Sequence, residues 1–253
     1  MAFFDALFTV QGLTYLVILA LLEIVLGIDN IIFISIITDK LPKEQQGKGR
    51  TIGLALALIM RLILLAFVSW IMKSTKPLFP NTSIELLQDF SIQSVVLLLG
   101  GLFLIYKSTV EMNHSIRGVE EETKVKKVTL SAVIMQIIMV DLVFSFDSII
   151  TAIGMTNDLQ REIGKDPLVI IYAAVIISMI IMMLFAKPIS NFINSRPSIK
   201  MLALAFLVTI GVILVAEAFG QHVPKGYIYF AMVYALFVEF LNIKMRRNKG
   251  LNE

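Results

Sequence analysis

The feature that most constrains this chain is a series of seven apolar runs, each long enough to cross a lipid bilayer. A transmembrane helix needs about 20 mostly apolar residues, and one soluble core has no room for so many of these segments. The runs are Leu13–Ile37, Thr51–Met72, Ile92–Met112, Thr129–Met155, Leu168–Ala186, Met201–Phe219 and Tyr227–Ile243. The sequence therefore predicts an all-α integral membrane protein with seven transmembrane helices.

The composition and the connections agree with a membrane domain. Only 16% of the residues are charged, against about 25% in soluble domains. The connections are short and polar, so residues 1–253 are expected to form a single transmembrane domain. The longest connection, Lys73–Ser91, contains "SIELLQDF", which is expected to form a short amphipathic helix on the membrane surface. The absence of cysteine excludes disulfides, thiolate metal sites and cysteine catalysis.

The basic residues predict the orientation of the chain. Fifteen Lys and Arg lie in connections 1–2, 3–4 and 5–6 and in the C-terminal tail, and five lie on the other side. Because basic residues concentrate in cytoplasmic loops, the N-terminus is predicted outside and the C-terminus in the cytoplasm. The net charge of +3 is therefore interpreted as a topology signal and not as a sign of nucleic-acid binding.

An internal repeat relates the first and fourth runs. "LEIVLGIDNII" (22–32) matches "VDLVFSFDSII" (140–150) at a constant offset of 118 residues, and the acids of these segments are the only charged residues in their runs. Three crossings separate the two copies, so they must run in opposite directions through the membrane. This predicts an inverted repeat of three plus three helices, about 13–112 and about 129–219, followed by a C-terminal helix at about 227–243. Secondary transporters commonly have this organisation, with a substrate site near the midplane.

Four intramembrane carboxylates are the main candidate functional groups. Glu23 aligns with Asp141, and Asp29 with Asp147. Each costs about 2.5–3.5 kcal/mol at the centre of a membrane helix, so they must face inward and be protonated, paired or bound to a cation. Six residues on a regular helix leave two side chains about 120° apart. A helix break at Gly27, or pairing between the inverted copies, would bring the acids together.

The ligand types indicate a site for a hard divalent cation. The candidate ligands are Glu23, Asp29, Asn30, Asp141, Asp147 and Ser148. These oxygen ligands suit Mn²⁺, Mg²⁺ or Ca²⁺ better than Zn²⁺ or Cu⁺. The two histidines, His114 and His222, fall near loops and are interpreted as interfacial side chains. Motifs for nucleophilic catalysis, phosphate binding or zinc proteases are absent, so no enzymatic activity is expected.

Further charges within the runs have two open interpretations. They are Arg61, Lys107, Glu217 and Glu239. Lys107 and Glu217 each lie six residues after a glycine of the third and sixth runs, and could form a gating pair or a proton site. Simple structural pairing is the alternative for all of these charges. Arg61, in the middle of the second run, is expected to hold one of the acids when no cation is bound.

The chain resembles the TerC family of integral membrane proteins. The segments that carry the resemblance are "LEIVLGIDNIIFISI", "ALIMRLILL", "LLLGGLFLIYKST", "VDLVFSFDSIITAIGM" and "AEAFGQHVPKGYIYFAMVYALFVEFLN". The resemblance implies manganese export, with the family's acidic transport residues falling on Glu23, Asp29, Asp141 and Asp147. It also implies a short form without cytosolic regulatory domains, in the inner membrane of a bacterium.

These observations together predict an exporter that carries Mn²⁺ as a substrate and holds no permanent cofactor. Its partners are expected to be the divalent cation and the lipid bilayer, and the sequence predicts no oligomeric state. Proton antiport is a natural coupling because carboxylates exchange metal for protons. Two alternatives stay open, namely a Ca²⁺ transporter with the same site and a membrane assembly or metal-loading factor that moves no ions.

Overall fold

The computed structural model describes residues 7–67, 90–117, 129–163, 168–221 and 223–248. Within these ranges, the described part of the structure does not include the side chains of residues 147, 154, 157–163, 225, 247 and 248. The described residues form seven α-helices. They are α1 (Val10–Asp39), α2 (Lys43–Ala66), α3 (Ile92–Arg117), α4 (Leu130–Ile163), α5 (Leu168–Asn194), α6 (Pro197–Ala218) and α7 (Lys225–Asn248).

The seven helices confirm the predicted membrane architecture. Each of the seven described helices is long and apolar enough to span a bilayer, and none of the described residues forms an extended sheet strand. Local sequence signals fix some of the ends. The Thr9 hydroxyl accepts a hydrogen bond from the Gly12 N–H at 3.0 Å and so caps α1, and Pro197 begins α6, where its missing N–H costs nothing. The predicted amphipathic segment lies outside the described residues.

Contacts between helix ends show how the helices alternate. Three contacts place the ends of α1, α3 and α5 beside one another and beside the start of α6. They are Lys40–Glu111, Asp39–Lys200 and Asn194–Ser35. At the opposite end, the rings of Phe90 before α3 and Phe219 after α6 lie 6.0 Å apart. We call the first end the α1–α2 end and the second the α6–α7 end.

This alternation makes α1 and α4 antiparallel, as the inverted repeat requires. The packing partners also exchange in the expected way, because α1 packs mainly on α5, α4 packs mainly on α2, and α3 packs on α6. If α1, α2 and α3 are exchanged with α4, α5 and α6, the α1–α5 contact becomes the α4–α2 contact. The α3–α6 contact is unchanged by this exchange. The repeat itself stays a prediction.

The helices form two packed groups. The helices α1, α2, α4 and α5 contact one another on several sides, and we call them the four-helix unit. The α3–α6 pair packs beside this unit and makes fewer contacts with it than within itself. Its two backbones approach closely at Gly101 and Gly211, since a Cβ on Gly101 would lie 2.6 Å from the Gly211 carbonyl oxygen. The carboxylates of the repeat lie in the four-helix unit.

The proposed helix break at Gly27 was wrong. The α1 helix runs without interruption from Val10 to Asp39. Gly27 instead makes room for α5, because a Cβ at this position would overlap the Met182 sulfur. Close helix packing explains the glycine, and the acids are brought together in another way.

Candidate functional site

Two matching helix faces form the centre of the four-helix unit. Glu23 and Asn30 lie seven residues apart in α1, which is nearly two full turns and places them on one face. Asp141, Ser145 and Ser148 lie at positions i, i+4 and i+7 of α4 and share a face in the same way. In each helix, polar residues seven positions apart share a face, whereas the two acids of each helix, which are six positions apart, do not.

Arg61 of α2 lies between these two faces and binds both of them. Its Nη1 donates to Glu23 Oε2 at 2.5 Å. Its Nη2 donates to Asp141 Oδ1 at 2.9 Å, and its Nε lies 3.2 Å from the same oxygen. The planar guanidinium suits such a fork of carboxylate contacts. The sequence suggested that Arg61 holds one acid, and the structure shows that it holds two, one from each copy of the repeat.

Asp141 has further partners. The Asn30 side-chain N–H donates to Asp141 Oδ1 at 2.9 Å across the α1–α4 contact. The Ser145 hydroxyl donates to Asp141 Oδ2 at 3.1 Å from one turn along α4. The side-chain oxygen of Asn30 is buried and has no hydrogen-bond partner among the described residues. This oxygen is therefore available as a ligand in the middle of the site.

The site is buried and carries excess negative charge. Glu23, Asp29, Asp141 and Arg61 are each no more than 3% exposed. If every group is ionised, three acids and one arginine leave a formal charge of −2 among these described side chains. Buried charges are stable only when they are paired, hydrogen-bonded or neutralised.

The remaining predicted ligands lie along the same helices. Asp29 is buried in α1 beside Asn30. The Ser148 hydroxyl donates to the Ser145 carbonyl oxygen at 3.3 Å. Asp147 lies in α4 between them, but its side chain is outside the described part of the structure. Within the described part, no three acidic, histidine or cysteine side chains form a ready metal-binding group, and the assignment of the six ligands stays a prediction.

A small cavity reaches the site from the α6–α7 end. Its volume is about 30 Å³, and Arg61 and Ser148 contribute its polar lining. Its other walls are apolar side chains of α1, α4 and α6 and the first turn of α7, including Ile228 and Tyr229. About 10–15 Å³ holds one water molecule. The cavity is therefore large enough for a water or a single dehydrated ion next to the guanidinium.

A direct gating pair of Lys107 with Glu217, one of the interpretations that the sequence leaves open, does not fit the structure. The two residues lie six positions beyond the Gly101–Gly211 crossing of antiparallel helices, toward opposite ends of the pair. Lys107 instead interacts electrostatically with Lys40 and Glu111. Glu217 lies near the end of α6 at the opposite end.

The other predicted groups lie away from the centre of the site. Glu239 is partly buried in α7, where Asn242 donates a hydrogen bond to it at 3.5 Å. His114 is exposed in the last turn of α3, in agreement with an interfacial role, and His222 lies outside the described residues.

Two groups of functional interest were missed in the sequence. One is Ser145, which aligns with Gly27 in the repeat. Its spacing of four residues from Asp141 is the signal that could have identified it as a partner of that acid. Lys40 and Glu111 are 71 positions apart in the sequence and lie in a polar connection and near a helix end, respectively. No local pattern connects them, so only the packing of α1 beside α3 reveals the pair.

Comparisons with known proteins agree with a membrane protein of this type. A sequence model described as "Integral membrane protein TerC family" matches residues 8–250. A UPF0053 protein of Haemophilus influenzae is 48% identical over 234 residues, covering 92% of this chain and 93% of the relative. The UPF0053 inner membrane protein YgdQ of Escherichia coli is 48% identical over 233 residues, with the same shares covered. The UPF0053 inner membrane protein YoaE of Escherichia coli is 44% identical over 232 residues, which make up 91% of this chain and 42% of the relative. No solved structure matches the chain.

Proposed function

Because the chain belongs to the integral membrane protein TerC family, we propose that it is a membrane transporter that exports divalent cations, with Mn²⁺ as its main substrate. The observation that carries the proposal is the binding of Glu23 and Asp141 to Arg61 in the middle of the bundle. Arg61 acts as a tethered cation that neutralises two acids while no metal is bound. A divalent cation would take its place.

The proposed exchange follows from charge and from ligand type. A metal ion entering the site draws the two carboxylates away from the guanidinium, and the free Asn30 oxygen adds a neutral ligand. Oxygen ligands of this kind favour Mn²⁺, Mg²⁺ and Ca²⁺ over softer metals. When the metal leaves, Arg61 or protons restore the neutrality of the acids. Proton antiport follows from this competition, because a carboxylate binds either the metal or a proton.

Transport by purified protein tests the proposal directly. Liposomes that contain the protein and a trapped Mn²⁺ indicator should take up Mn²⁺ faster than protein-free liposomes. Asp29→Asn should reduce the rate strongly, whereas Glu44→Gln is the matched control because Glu44 is an exposed acid at the start of α2. Equal rates with and without protein would contradict transport. Strong competition by low Zn²⁺ would contradict an all-oxygen site.

We also propose an orientation in a bacterial inner membrane from the distribution of basic residues. The N-terminus lies outside and the C-terminus lies in the cytoplasm. The chain has no cysteine, so single cysteines report on accessibility without background. Gln45→Cys at the α1–α2 end should react with a membrane-impermeant maleimide only after permeabilisation. Gln221→Cys at the α6–α7 end should react in intact cells. Both positions are exposed. The reverse result would contradict the proposed orientation of the chain.

A further inference from the structure

Two ion pairs connect the end of α1 to the α3–α6 pair. Lys40 Nζ lies 2.5 Å from Glu111 Oε2 of α3. Asp39, the preceding residue, accepts a hydrogen bond from Lys200 Nζ of α6 at 3.0 Å. The Glu111 side chain is only 8% exposed. Consecutive residues of the four-helix unit are therefore bound to both members of the neighbouring pair.

Apart from these contacts, the boundary between the two groups of helices is loosely packed. A mostly apolar groove of about 400 Å³ lies between α3 and α4 on the outer surface of the bundle, where Leu99, Met135 and Met139 are each more than half exposed. The smaller cavity that reaches Arg61 lies between the four-helix unit and the helices α6 and α7. The groove and this cavity thus lie along the same boundary. Helices that pack this loosely can shift against each other at lower cost than helices in a close-packed interior.

The two ends of this boundary differ in what closes them. At the α1–α2 end, the Gln46 side chain also donates to the backbone oxygens of Asp39 and Leu41, both at 3.1 Å. Leu41 is 3% exposed and packs over Gly49. At the α6–α7 end, the cavity extends from Arg61 to the first turn of α7. Among the described residues, these contacts close the α1–α2 end, and the small cavity beside Arg61 extends toward the start of α7.

The charges at the closed end oppose the passage of cations. Lys107 lies close enough to Lys40 and Glu111 to interact with both electrostatically. The two lysines and one glutamate give this group a formal charge of +1. A positive group at a narrow point is an electrostatic barrier to cations.

We propose that Lys40 and Glu111 are the gating residues of the transport reaction, with Asp39 and Lys200 as the second, supporting pair. The inference rests on the proposed function. Breaking both pairs lets the α3–α6 pair move away from α1 and exposes Glu111 to an entering cation. Closing them again seals the site on this side while the cation leaves toward the α6–α7 end. Transporters of this kind alternate by movement of one helix group against another around a fixed site.

A reversible cross-link tests the movement. Lys40→Cys/Glu111→Cys, treated in liposomes with a short bifunctional methanethiosulfonate reagent, should stop transporting Mn²⁺ and recover when a thiol reductant cleaves the new disulfides. Each single variant, Lys40→Cys or Glu111→Cys, should transport at the same rate after treatment as before it, because one cysteine cannot form the cross-link. A cross-linked double variant that transports as fast as its reduced form would overturn the gate. Absence of transport in the wild-type protein would instead contradict the proposed function.

Charge reversal provides a second test that needs no cross-link. Lys40→Glu places two acids together and Glu111→Lys places three lysines together. Because like charges in contact repel each other, each variant should reduce transport at least about tenfold. The exchanged pair Lys40→Glu/Glu111→Lys should recover most of the rate. Membrane abundance of all three variants is measured in parallel. A double variant as slow as the singles at normal abundance would show that the two residues do not act as a pair.

Discussion

Glu23 in α1 and Asp141 in α4 occupy matching positions of the repeat, yet the structure holds them very differently. Asp141 accepts hydrogen bonds from α2 through Arg61, from α1 through Asn30 and from its own helix through Ser145. Within the described part of the chain, Arg61 is the one partner of Glu23. The same sequence pattern therefore produces one firmly anchored acid and one lightly held acid.

Under the proposed function, this difference gives the two acids different roles. An acid with several donors keeps its position when one donor leaves, whereas an acid with one donor is released at once. Asp141 would hold the site together when the metal displaces Arg61. Glu23 would be the acid that changes partner in each cycle.

The largest expected effect comes from removing the charge of the anchored acid. Asp141→Asn leaves Arg61 with one acid in a buried site, and breaking a buried ion pair costs about 3–5 kcal/mol. Glu23→Gln also breaks a buried ion pair with Arg61. It should cost less, because it leaves no Asn30 or Ser145 donor without its carboxylate. Thermal unfolding of the purified proteins in detergent measures the order. Equal losses, or a larger loss for Glu23→Gln, would remove the distinction between the two acids.

The second prediction concerns the other matching acids, Asp29 and Asp147. Asparagine keeps the size and one oxygen ligand but removes the negative charge. If these acids bind the cargo, both variants should reach the membrane at normal levels and lose Mn²⁺ transport at least about tenfold, or 1.4 kcal/mol. If they are structural partners of buried cations, membrane abundance should fall instead. Well-folded variants that still export manganese would contradict the site assignment.

The sequence predicts the membrane fold well because its physical signal is strong. Seven long apolar runs have one stable solution in a bilayer, since each must satisfy its own backbone hydrogen bonds as a helix. Intramembrane acids are costly, and so Glu23, Asp29 and Asp141 were identified as inward-facing before their partners were known. Their burial in the structure agrees with that reasoning.

Partners across helices were harder to predict. The break at Gly27 was inferred from the spacing of Glu23 and Asp29, but the helix is continuous and Gly27 accommodates Met182 of α5. A pair of Lys107 and Glu217 was one open interpretation because both follow glycines at the same spacing, but antiparallel packing places them toward opposite ends. Both cases concern which helices are neighbours, and periodicity within a helix carries no information about that.

The third prediction makes α1 more like α4. Gly27→Ser introduces the residue that stands at the matching position of α4, but its Cβ would overlap the Met182 sulfur. The flexible methionine can move, so overpacking should cost about 1–3 kcal/mol. Gly47→Ser in α2 is the control, because a Cβ there meets nothing within 4 Å. A stable Gly27→Ser protein would mean that α5 has room to move away from α1.

The smallest expected effect comes from removing one neutral hydrogen-bond donor of Asp141, which leaves every charge of the site in place. Ser145→Ala removes the hydroxyl that donates to Asp141 Oδ2 at 3.1 Å. Asp141 keeps Arg61 and Asn30, so the loss should be about 1 kcal/mol. Ser178→Ala is the matched control, because Ser178 is equally buried in α5 but donates to the Val175 carbonyl oxygen of its own helix. If the anchoring of Asp141 is real, Ser145→Ala should lower Tm more than Ser178→Ala does. Mn²⁺ transport should continue in both, because neither variant changes the charge of the site. A Ser145→Ala protein as stable as the control would show that Arg61 and Asn30 suffice, and the contrast between Asp141 and Glu23 would then depend on Asn30 alone.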